Sequence, residues 1–530
     1  MTPGDLPNVG IPAHLAERMS MPEQHEYLRA RLSRRGVLRT GGAAGALATG
    51  GLLLGAGSAG AEPRRAGPEL VRTRPRVDGS LVAPFGRHLA LGADPRTEMR
   101  VSWQVPLPVR GPYLRLGRAP WDLGERIEAE VRELRTPSLA KDLPEVEQYY
   151  LHVALDGLRP DTTYYYGVGH EGFDPATAER VSTLGSFTTA PKGSGDPFVF
   201  TAFGDQGVSY DALANDQLIL GQNPAFHLHA GDICYADSTG KGNSSDTYDA
   251  RVWDQFLAQT ESVAARVPWM VTTGNHDMEA WYSPNGYGGQ SARWSLPENG
   301  PDSRKAPGVY SFVYGNVGVV ALDANDVSYQ IRANKGHTDG AQTRWLDRTL
   351  RELRARDGVD FIVAFFHHCA YATGLHASDG GVRDEWVGLF EKHGVDLVVN
   401  GHNHVYERTD PVKGGKGTRK LSFGETTDPT RDGIVYVTAG GAGKDLYGFA
   451  VPDSYEGEVN ERDSVLSHYW TKSGLPVPDR VGWSRVRYTG FSFLAVRSVP
   501  GKRPEPPKLE VTALAQTGRR VDHFTVRRPS

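Results

Sequence analysis

Residues 198–207 read FVFTAFGDQG, an apolar run that stops at a glycine and is followed by an aspartate. Four later runs also end in polar residues: 225–235 read AFHLHAGDICY, 269–277 read WMVTTGNHD, 361–368 read FIVAFFHH, and 395–404 read VDLVVNGHNH. Short apolar runs of this kind are typical of strands in a buried sheet. We therefore predict an α/β domain whose strands deliver metal-competent side chains into loops.

Apolar runs and helical patterns also alternate between and after these five runs. Further apolar runs lie at 317–322 and 434–438, and amphipathic stretches lie at 249–265, 340–356 and 383–393. The stretches have the spacing of helices that cover a sheet. After about residue 484 the chain returns to strand-like runs.

The region from 79 to 191 has a different pattern, with short alternating runs separated by turns and no convincing helix. Residues 158–164, LRPDTTY, resemble the tyrosine corner of fibronectin type III domains. Residues 185–191, GSFTTAP, close the region in a way similar to that family. We predict an all-β, fibronectin III-like sandwich with a structural or docking role, because no cluster of catalytic residue types lies in it.

The N-terminus carries the elements of a twin-arginine export signal in the right order. Residues 33–39 read SRRGVLR, residues 41–60 are uncharged, and Ala59-Gly60-Ala61 offers a cleavage site. We predict a signal peptide over 1–61, a linker over 62–78, recognition by the twin-arginine export machinery, and secretion with no stable membrane span after cleavage. The alternatives are an uncleaved anchor and a chance arginine pair in a flexible tail.

Composition narrows the class of protein further. A chain of 530 residues suggests two or three domains. A net charge of −4 with scattered Lys and Arg argues against a nucleic-acid partner. The two cysteines, Cys234 and Cys369, cannot form a disulfide framework. We expect two buried thiols, with one disulfide after export as the alternative.

The five loops are expected to converge, because ligands of an open α/β sheet bind beyond the carboxyl ends of its strands. Glycine precedes the polar residue in four of the five loops, which lets the backbone turn beside a crowded cluster. His368, next to His367, is an alternative ligand from the fourth loop. The candidate metal ligands are Asp205, Asp232, Tyr235, Asn275, His367, His402 and His404.

The order GDxG, GDxxY, GNH(D/E), a histidine at a strand end, and GHxH resembles the purple acid phosphatases, a branch of the calcineurin-like metallophosphoesterases. The resemblance covers about 197–410, and plant-type members also carry a preceding fibronectin-like domain. It implies a metallophosphoesterase β-sandwich flanked by helices over 197–530. The third motif ends in Asp277 where many relatives have Glu, which a carboxylate that orients a neighbour should tolerate.

The resemblance also implies a role for each candidate. Two metals would share Asp232. The first metal would be held by Asp205, Asp232, Tyr235 and His404, and the second by Asp232, Asn275, His367 and His402.

Two histidines are implied to contact the substrate rather than a metal. His276 would contact the phosphate or assist the leaving group, and the offset of His376 from His367 is similar to that of a substrate-binding histidine in plant enzymes. The alignment of Tyr371 favours His367 over His368 as the ligand.

The ligand types indicate which metals fit. Hard oxygen and imidazole donors without thiolate suit Fe, Zn or Mn. A phenol titrates near about 10, so a Tyr235 phenolate at working pH needs a strong Lewis acid. We predict two metal ions, Fe(III) plus a divalent Fe, Zn or Mn. The alternative is a packed Tyr235 beside two divalent metals.

The predicted function is hydrolysis of a small phosphate monoester by a metal-activated hydroxide in a secreted phosphatase. Within the enzyme class, a phosphodiesterase or nucleotide-hydrolysing metallophosphoesterase shares the same metal core. A more distant alternative is a non-catalytic binding protein that acts through the β-sandwich.

Overall fold

The computed structural model describes residues 10–40, 77–124, 126–139, 143–239 and 247–529. The uncharged stretch and the cleavage site of the predicted signal peptide, and most of the predicted linker, lie outside these residues. Two helices precede the gap, α1 (Ala13–Ala16) and α2 (Met21–Thr40). Within the described residues, no helix combines the length and apolar character needed to cross a membrane.

The N-terminal domain is a β-sandwich of two antiparallel four-stranded sheets, ordered β1-β2-β6-β5 and β4-β3-β7-β8. Short 3-10 helices lie at Gly79–Leu81 and Ala178–Thr183. The strands are β1 (Phe85–Leu91), β2 (Met99–Val105), β3 (Tyr113–Gly117), β4 (Arg126–Glu128), β5 (Glu130–Thr136), β6 (Val146–Leu155), β7 (Thr163–Gly169) and β8 (Gly185–Thr188).

The tyrosine corner suggested by the sequence is present in this sandwich. The buried Tyr164 hydroxyl accepts a hydrogen bond from the Arg159 backbone N–H at 3.0 Å. The bond ties the start of β7 to the turn before it, as in fibronectin-like domains. The prediction of an all-β fibronectin III-like sandwich is therefore confirmed.

The remaining chain folds mainly into two seven-stranded mixed sheets with helices around them, and the other five strands form a three-stranded and a two-stranded sheet. The strands are β9 (Phe198–Phe203), β10 (His227–His229), β11 (Trp269–Val271), β12 (Tyr310–Tyr314), β13 (Val317–Ala321), β14 (Phe361–Phe366), β15 (Ser378–Asp379), β16 (Leu397–Asn400), β17 (Tyr406–Thr409), β18 (Val412–Lys413), β19 (Lys416–Gly417), β20 (Thr426–Thr427), β21 (Val435–Ala439), β22 (Val465–Trp470), β23 (Pro476–Val481), β24 (Ser484–Tyr488), β25 (Ser492–Val499), β26 (Lys508–Ala515) and β27 (Arg520–Arg527). The helices are α3 (Tyr210–Gly221), α4 (Arg251–Ala264), α5 (Gly288–Arg293), α6 (Ala341–Ala355), α7 (Gly380–Val382), α8 (Gly388–His393) and α9 (Pro429–Asp432), with 3-10 turns at Asn275–Asp277 and Ala324–Asp326 and a π-helical turn at Arg383–Val387.

The first sheet has the order β11-β10-β9-β25-β26-β27-β20 and the second β12-β13-β14-β16-β21-β17-β24. Strands β9, β10 and β11 are parallel, as are β13, β14, β16 and β21. Within each parallel set the carboxyl ends therefore lie at one edge. The strand-like runs after residue 484 complete both sheets, with β25 antiparallel to β9.

Strand β14 shows how the layers pack. Phe361, Val363 and Phe365 join the core that also contains residues of β9, whereas Ile362 and Phe366 face a second core formed with α6 and α8. A strand buried on both faces reads as a continuous apolar run. The predicted β-sandwich flanked by helices is confirmed.

A buried ion pair of the larger domain contacts the N-terminal domain. Arg293, at the end of α5, lies 2.8 Å from Glu279 Oε2, and both side chains are fully buried. Its guanidinium lies 4.1 Å from the centre of the Trp253 ring and donates to the Tyr150 hydroxyl of β6 at 3.3 Å. The loop between Glu279 and Arg293 is thereby held against both domains.

We expect Arg293→Met to lower the apparent free energy of unfolding by about 3–5 kcal/mol, because Glu279 is left buried and unpaired. Urea unfolding followed by tryptophan fluorescence measures the loss. The Arg293→Met, Glu279→Gln double variant is the control and should recover much of it, since Gln keeps an acceptor for Trp253. Equal losses in both variants contradict this account.

Candidate metal centre

The five loops named by the sequence meet at the carboxyl ends of β9, β10, β11, β14 and β16. Their side chains are nearly all buried within a few ångströms of one another. The structure brings together all seven predicted ligands: Asp205, Asp232, Tyr235, Asn275, His367, His402 and His404.

Four of these residues have an unusual backbone conformation. Asp205, Asp232, Tyr235 and His402 have φ values of 63°, 52°, 60° and 69°. A positive φ is uncommon outside glycine and clusters at functional sites, where the surrounding structure holds it. The backbone is therefore strained in order to aim these side chains inward.

The glycines before the donors are required by the crowding around them. A Cβ on Gly274 would lie 2.1 Å from Asp232 Oδ1, and one on Gly401 would lie 2.5 Å from Asp205 Oδ2. Any side chain at these positions would displace a predicted ligand.

The donor atoms fall into two groups. In the first, the Tyr235 hydroxyl lies 2.9 Å from His404 Nε2 and 3.2 Å from Asp205 Oδ1. His404 Nε2 and Asp205 Oδ1 are 3.5 Å apart. The single hydroxyl proton of Tyr235 cannot satisfy both acceptors.

The second group surrounds His367 Nε2. Asp232 Oδ2 lies 3.0 Å from it, Asn275 Oδ1 3.1 Å, and His402 Nδ1 3.2 Å. Asp232, His367 and His402 form a cluster that could hold a metal ion.

The other nitrogen of each histidine is held by an acceptor. His367 Nδ1–H donates to the Ala230 carbonyl at 2.8 Å, and His404 Nδ1–H donates to the Asp445 carbonyl at 2.6 Å. His402 Nε2–H donates to the Gln330 side-chain oxygen at 3.0 Å. These bonds select the tautomer that directs a lone pair into the cluster, as metal-binding histidines require.

The arrangement leaves lone pairs facing lone pairs in a buried space. Ligands about 2.0–2.2 Å from one ion lie roughly 3–3.5 Å from each other, which is the spacing in both groups. Burial lowers the pKa of His404 to about 3, whereas Asp232 and Asp205 overcome burial and raise the pKa of His367 to about 9. The two carboxylates thus favour a positive charge between them. The spacing and the type of these donors therefore fit metal ions.

His368 is placed differently from His367. Its ring is buried 4.4 Å from the His402 ring, and neither of its nitrogens has a hydrogen-bond partner among the described residues. Since His367 Nε2 meets three predicted ligands, the geometry favours His367, and its role as a ligand stays a prediction.

Asp277 lies behind the donors rather than among them. Its carboxylate accepts backbone N–H groups of Asp232 at 2.8 Å, Ile233 at 3.0 Å and Gly274 at 2.8 Å. A shorter Asp in place of Glu therefore still binds the second loop to the third.

The two cysteines are separate buried thiols, as expected, so the alternative of one disulfide is not seen. Cys369 donates to the Gly401 carbonyl at 3.1 Å. Burial raises the pKa of the Cys369 thiol to about 12, which keeps it neutral.

The donors open into a cleft of about 790 Å³, a size typical of small-molecule sites. Both predicted substrate-contacting histidines line it. His276 Nδ1–H donates to the Asp237 carbonyl at 2.5 Å, and its Nε2 lies 3.9 Å from Asp232 Oδ2. The His376 ring lies 4.2 Å from that of His402.

Three further residues of the cleft are not among those predicted from the sequence. The Gln330 amide accepts from His402 and donates to His376 Nδ1 at 2.8 Å, so it sets the tautomers of both. The Tyr447 ring stacks on His404 at 3.9 Å, and Lys444 Nζ lies 4.9 Å from the Tyr235 ring. Lys444 and Tyr447 lie between β21 and β22, and Gln330 lies between β13 and α6, outside the five loops that the sequence singled out.

Known protein families and individual proteins are similar to this chain. Residues 84–189 match the family described as "Purple acid Phosphatase, N-terminal domain", and residues 198–406 match "Calcineurin-like phosphoesterase". A Mycobacterium tuberculosis protein described as "Uncharacterized protein Rv2577" is 31% identical, with 94% of this chain and 96% of that protein covered. Purple acid phosphatase 23 of Arabidopsis thaliana is 30% identical, with 55% of this chain and 62% of that protein covered.

A solved structure, purple acid phosphatase PPD1 from yellow lupin (Lupinus luteus) seeds, shares the fold. Its TM-score is 0.63 at 20% identity, with 84% of this chain and 75% of that chain covered. The chain is therefore a calcineurin-like metallophosphoesterase. It belongs to the purple acid phosphatase-like branch and carries the N-terminal domain of that branch. The family implies a phosphoesterase with a dinuclear metal centre.

We expect His367→Ala to lose about one metal equivalent per chain, because the second metal would lose one of its predicted ligands. The adjacent His368→Ala variant is the matched control, since it leaves a cavity of the same size and should keep its metal content. Mass spectrometry of the purified proteins measures this. Metal loss from His368→Ala alone reverses the assignment.

Proposed function

We propose that this phosphoesterase is an exported phosphatase that hydrolyses small phosphate monoesters at a dinuclear centre. The observation that carries the proposal is the pair of donor groups around Tyr235 and His367, whose histidines all direct a lone pair inward. The twin-arginine pattern at 33–39 supports export by that route and secretion.

The charges suit an anionic substrate. Two metal ions would lower the pKa of a bound water and neutralise phosphoryl charge. If one is Fe(III) and the other divalent, they bring five positive charges, of which Asp205, Asp232 and a Tyr235 phenolate cancel three. Lys444 adds a positive charge to the cleft wall.

Two histidines are placed to handle protons at the leaving group. Because Gln330 donates to His376 Nδ1, the neutral ring carries its proton on Nε2 and can donate it. His276 Nε2 faces Asp232, since its Nδ1 is used by the Asp237 carbonyl. We propose that His376 donates its Nε2 proton to the departing alcohol, and that His276 contacts the phosphate when a second proton occupies its Nε2.

Tyr235 is the reason for proposing Fe(III) beside a divalent Fe, Zn or Mn, because its hydroxyl lies among the donors of the first group, 2.9 Å from His404 Nε2 and 3.2 Å from Asp205 Oδ1. Burial, followed by the charge of Asp205, raises the pKa of the Tyr235 phenol well above its usual value. Without a metal the phenol would stay protonated, so a phenolate here requires a strong Lewis acid.

The main test compares the phosphate monoester and the phosphate diester of one chromogenic phenol at equal concentration. We expect kcat/KM for the monoester to be larger by at least about tenfold, a difference of about 1.4 kcal/mol in transition-state stabilisation. Asp232→Ala is the control and should abolish both activities. Faster diester hydrolysis supports the phosphodiesterase alternative, and no turnover of either ester by the native protein supports the binding-protein alternative. Unchanged activity in Asp232→Ala contradicts the assignment of the metal centre.

A second test concerns the metal at Tyr235. We expect the native protein to be coloured by Fe(III)–phenolate charge transfer, and Tyr235→Phe to lose that visible band while keeping at least part of its metal. Absorption spectroscopy with metal analysis on the same sample measures this. A colourless native protein holding two divalent metals argues for the alternative of a packed tyrosine.

A further inference from the structure

Residues 10–31, which fall within the predicted signal peptide, pack against the catalytic domain as an ordered segment. Their buried apolar side chains are Ile11, Ala16, Met21 and Leu28, none of them more than 1% exposed. These side chains form one core with Met278, Ala280, Tyr287 and Ile331 of the catalytic domain. Four apolar anchors on one short segment indicate a specific docking contact.

Polar contacts fix the position of the segment. The Met21 backbone N–H donates to the Ala333 carbonyl at 3.1 Å, and His25 Nδ1 donates to the Ala280 carbonyl at 3.0 Å. Glu23 accepts the Ser20 N–H at 2.7 Å, which caps the start of α2. The buried Gln24 amide donates to the Ala16 and Met19 carbonyls, which holds the turn between α1 and α2.

The docking surface belongs to the two loops that carry site residues. Met278 and Ala280 lie in the loop that begins with His276, and Ile331 follows Gln330, which contacts His402 and His376. The segment therefore packs on two of the loops that form the cleft.

The segment also forms one wall of the cleft itself. Six of its residues line the same cavity as His276, His376, His402 and His404: Ala16, Glu17, Arg18, Met19, Ser20 and Glu23. A wall of this kind reduces the room available to the leaving group of an ester.

We propose that residues 10–31 are an intramolecular cover that limits the cleft to compact phosphate esters, and that its release widens the cleft for bulky apolar ones. The inference rests on the proposed function. Release exposes the apolar side chains of Met278, Ala280, Tyr287 and Ile331, of which Ile331 lines the cleft, so an apolar leaving group gains a surface to pack against. Cleavage of the predicted signal peptide would accomplish this release.

The test uses the full chain with a protease site inserted within 62–76, so that one preparation is compared before and after cutting. Binding of inorganic phosphate and of naphthylphosphonate, which cannot be hydrolysed, is measured by calorimetry on the metal-loaded protein. After cutting and removal of the segment, we expect naphthylphosphonate to bind at least about tenfold more tightly, with phosphate affinity changed by less than about twofold.

Uncut variants provide a second arm. Leu28→Asp removes a buried anchor and should reproduce the change, whereas Arg29→Gln, which alters the charge equally at an exposed position, should not. Equal changes for both ligands, no change on cutting, or no binding of either ligand overturns the inference. Turnover of the small monoester is measured separately. Absence of turnover contradicts the proposed function, whereas turnover without the expected change in affinity contradicts only the proposed cover.

Discussion

The centre of this protein depends on one electrostatic constraint: buried carboxylate, phenol, amide and imidazole donors point their lone pairs at each other. Tyr235 has one proton for two acceptors, and His367 Nε2 meets three further donor atoms. A buried carboxylate without a counter-charge is expensive, so this arrangement is stable only with positive charge at its centre. Metal ions supply that charge, and the same ions are what a phosphoester needs.

The rest of the fold holds these donors in place against their repulsion. Parallel strands bring the loops to one edge of each sheet, and Asp277 binds the second loop to the third through three backbone N–H groups. Arg293 and Glu279 pin the following loop against the N-terminal sandwich. The sandwich therefore contributes to the site through support, which agrees with its lack of clustered catalytic residue types.

The proposed cover adds a level of control because it packs on the loops that carry His276 and Gln330. Its buried apolar side chains contact the loops that carry His276 and Gln330. Docking of the segment therefore needs both loops in their folded positions. A segment that leaves with the signal peptide would couple export to the size of the cleft. The proposed phosphatase would then have different substrate ranges before and after processing.

Fold class, family and the clustering of the candidate ligands were predictable from the sequence, because each signal is local. A glycine and a donor at the end of an apolar run are neighbours along the chain, and parallel strands bring such ends together. The individual metal-binding roles remain predictions. Gln330, Tyr447 and residues 16–23 could be found only in the tertiary structure, since they reach the cleft through contacts distant in sequence. In the sequence only the alignment of Tyr371 favours His367 over His368, and the structure adds a geometric reason to a role that stays a prediction. Adjacent histidines look alike in a sequence, but only one ring faces the carboxylates.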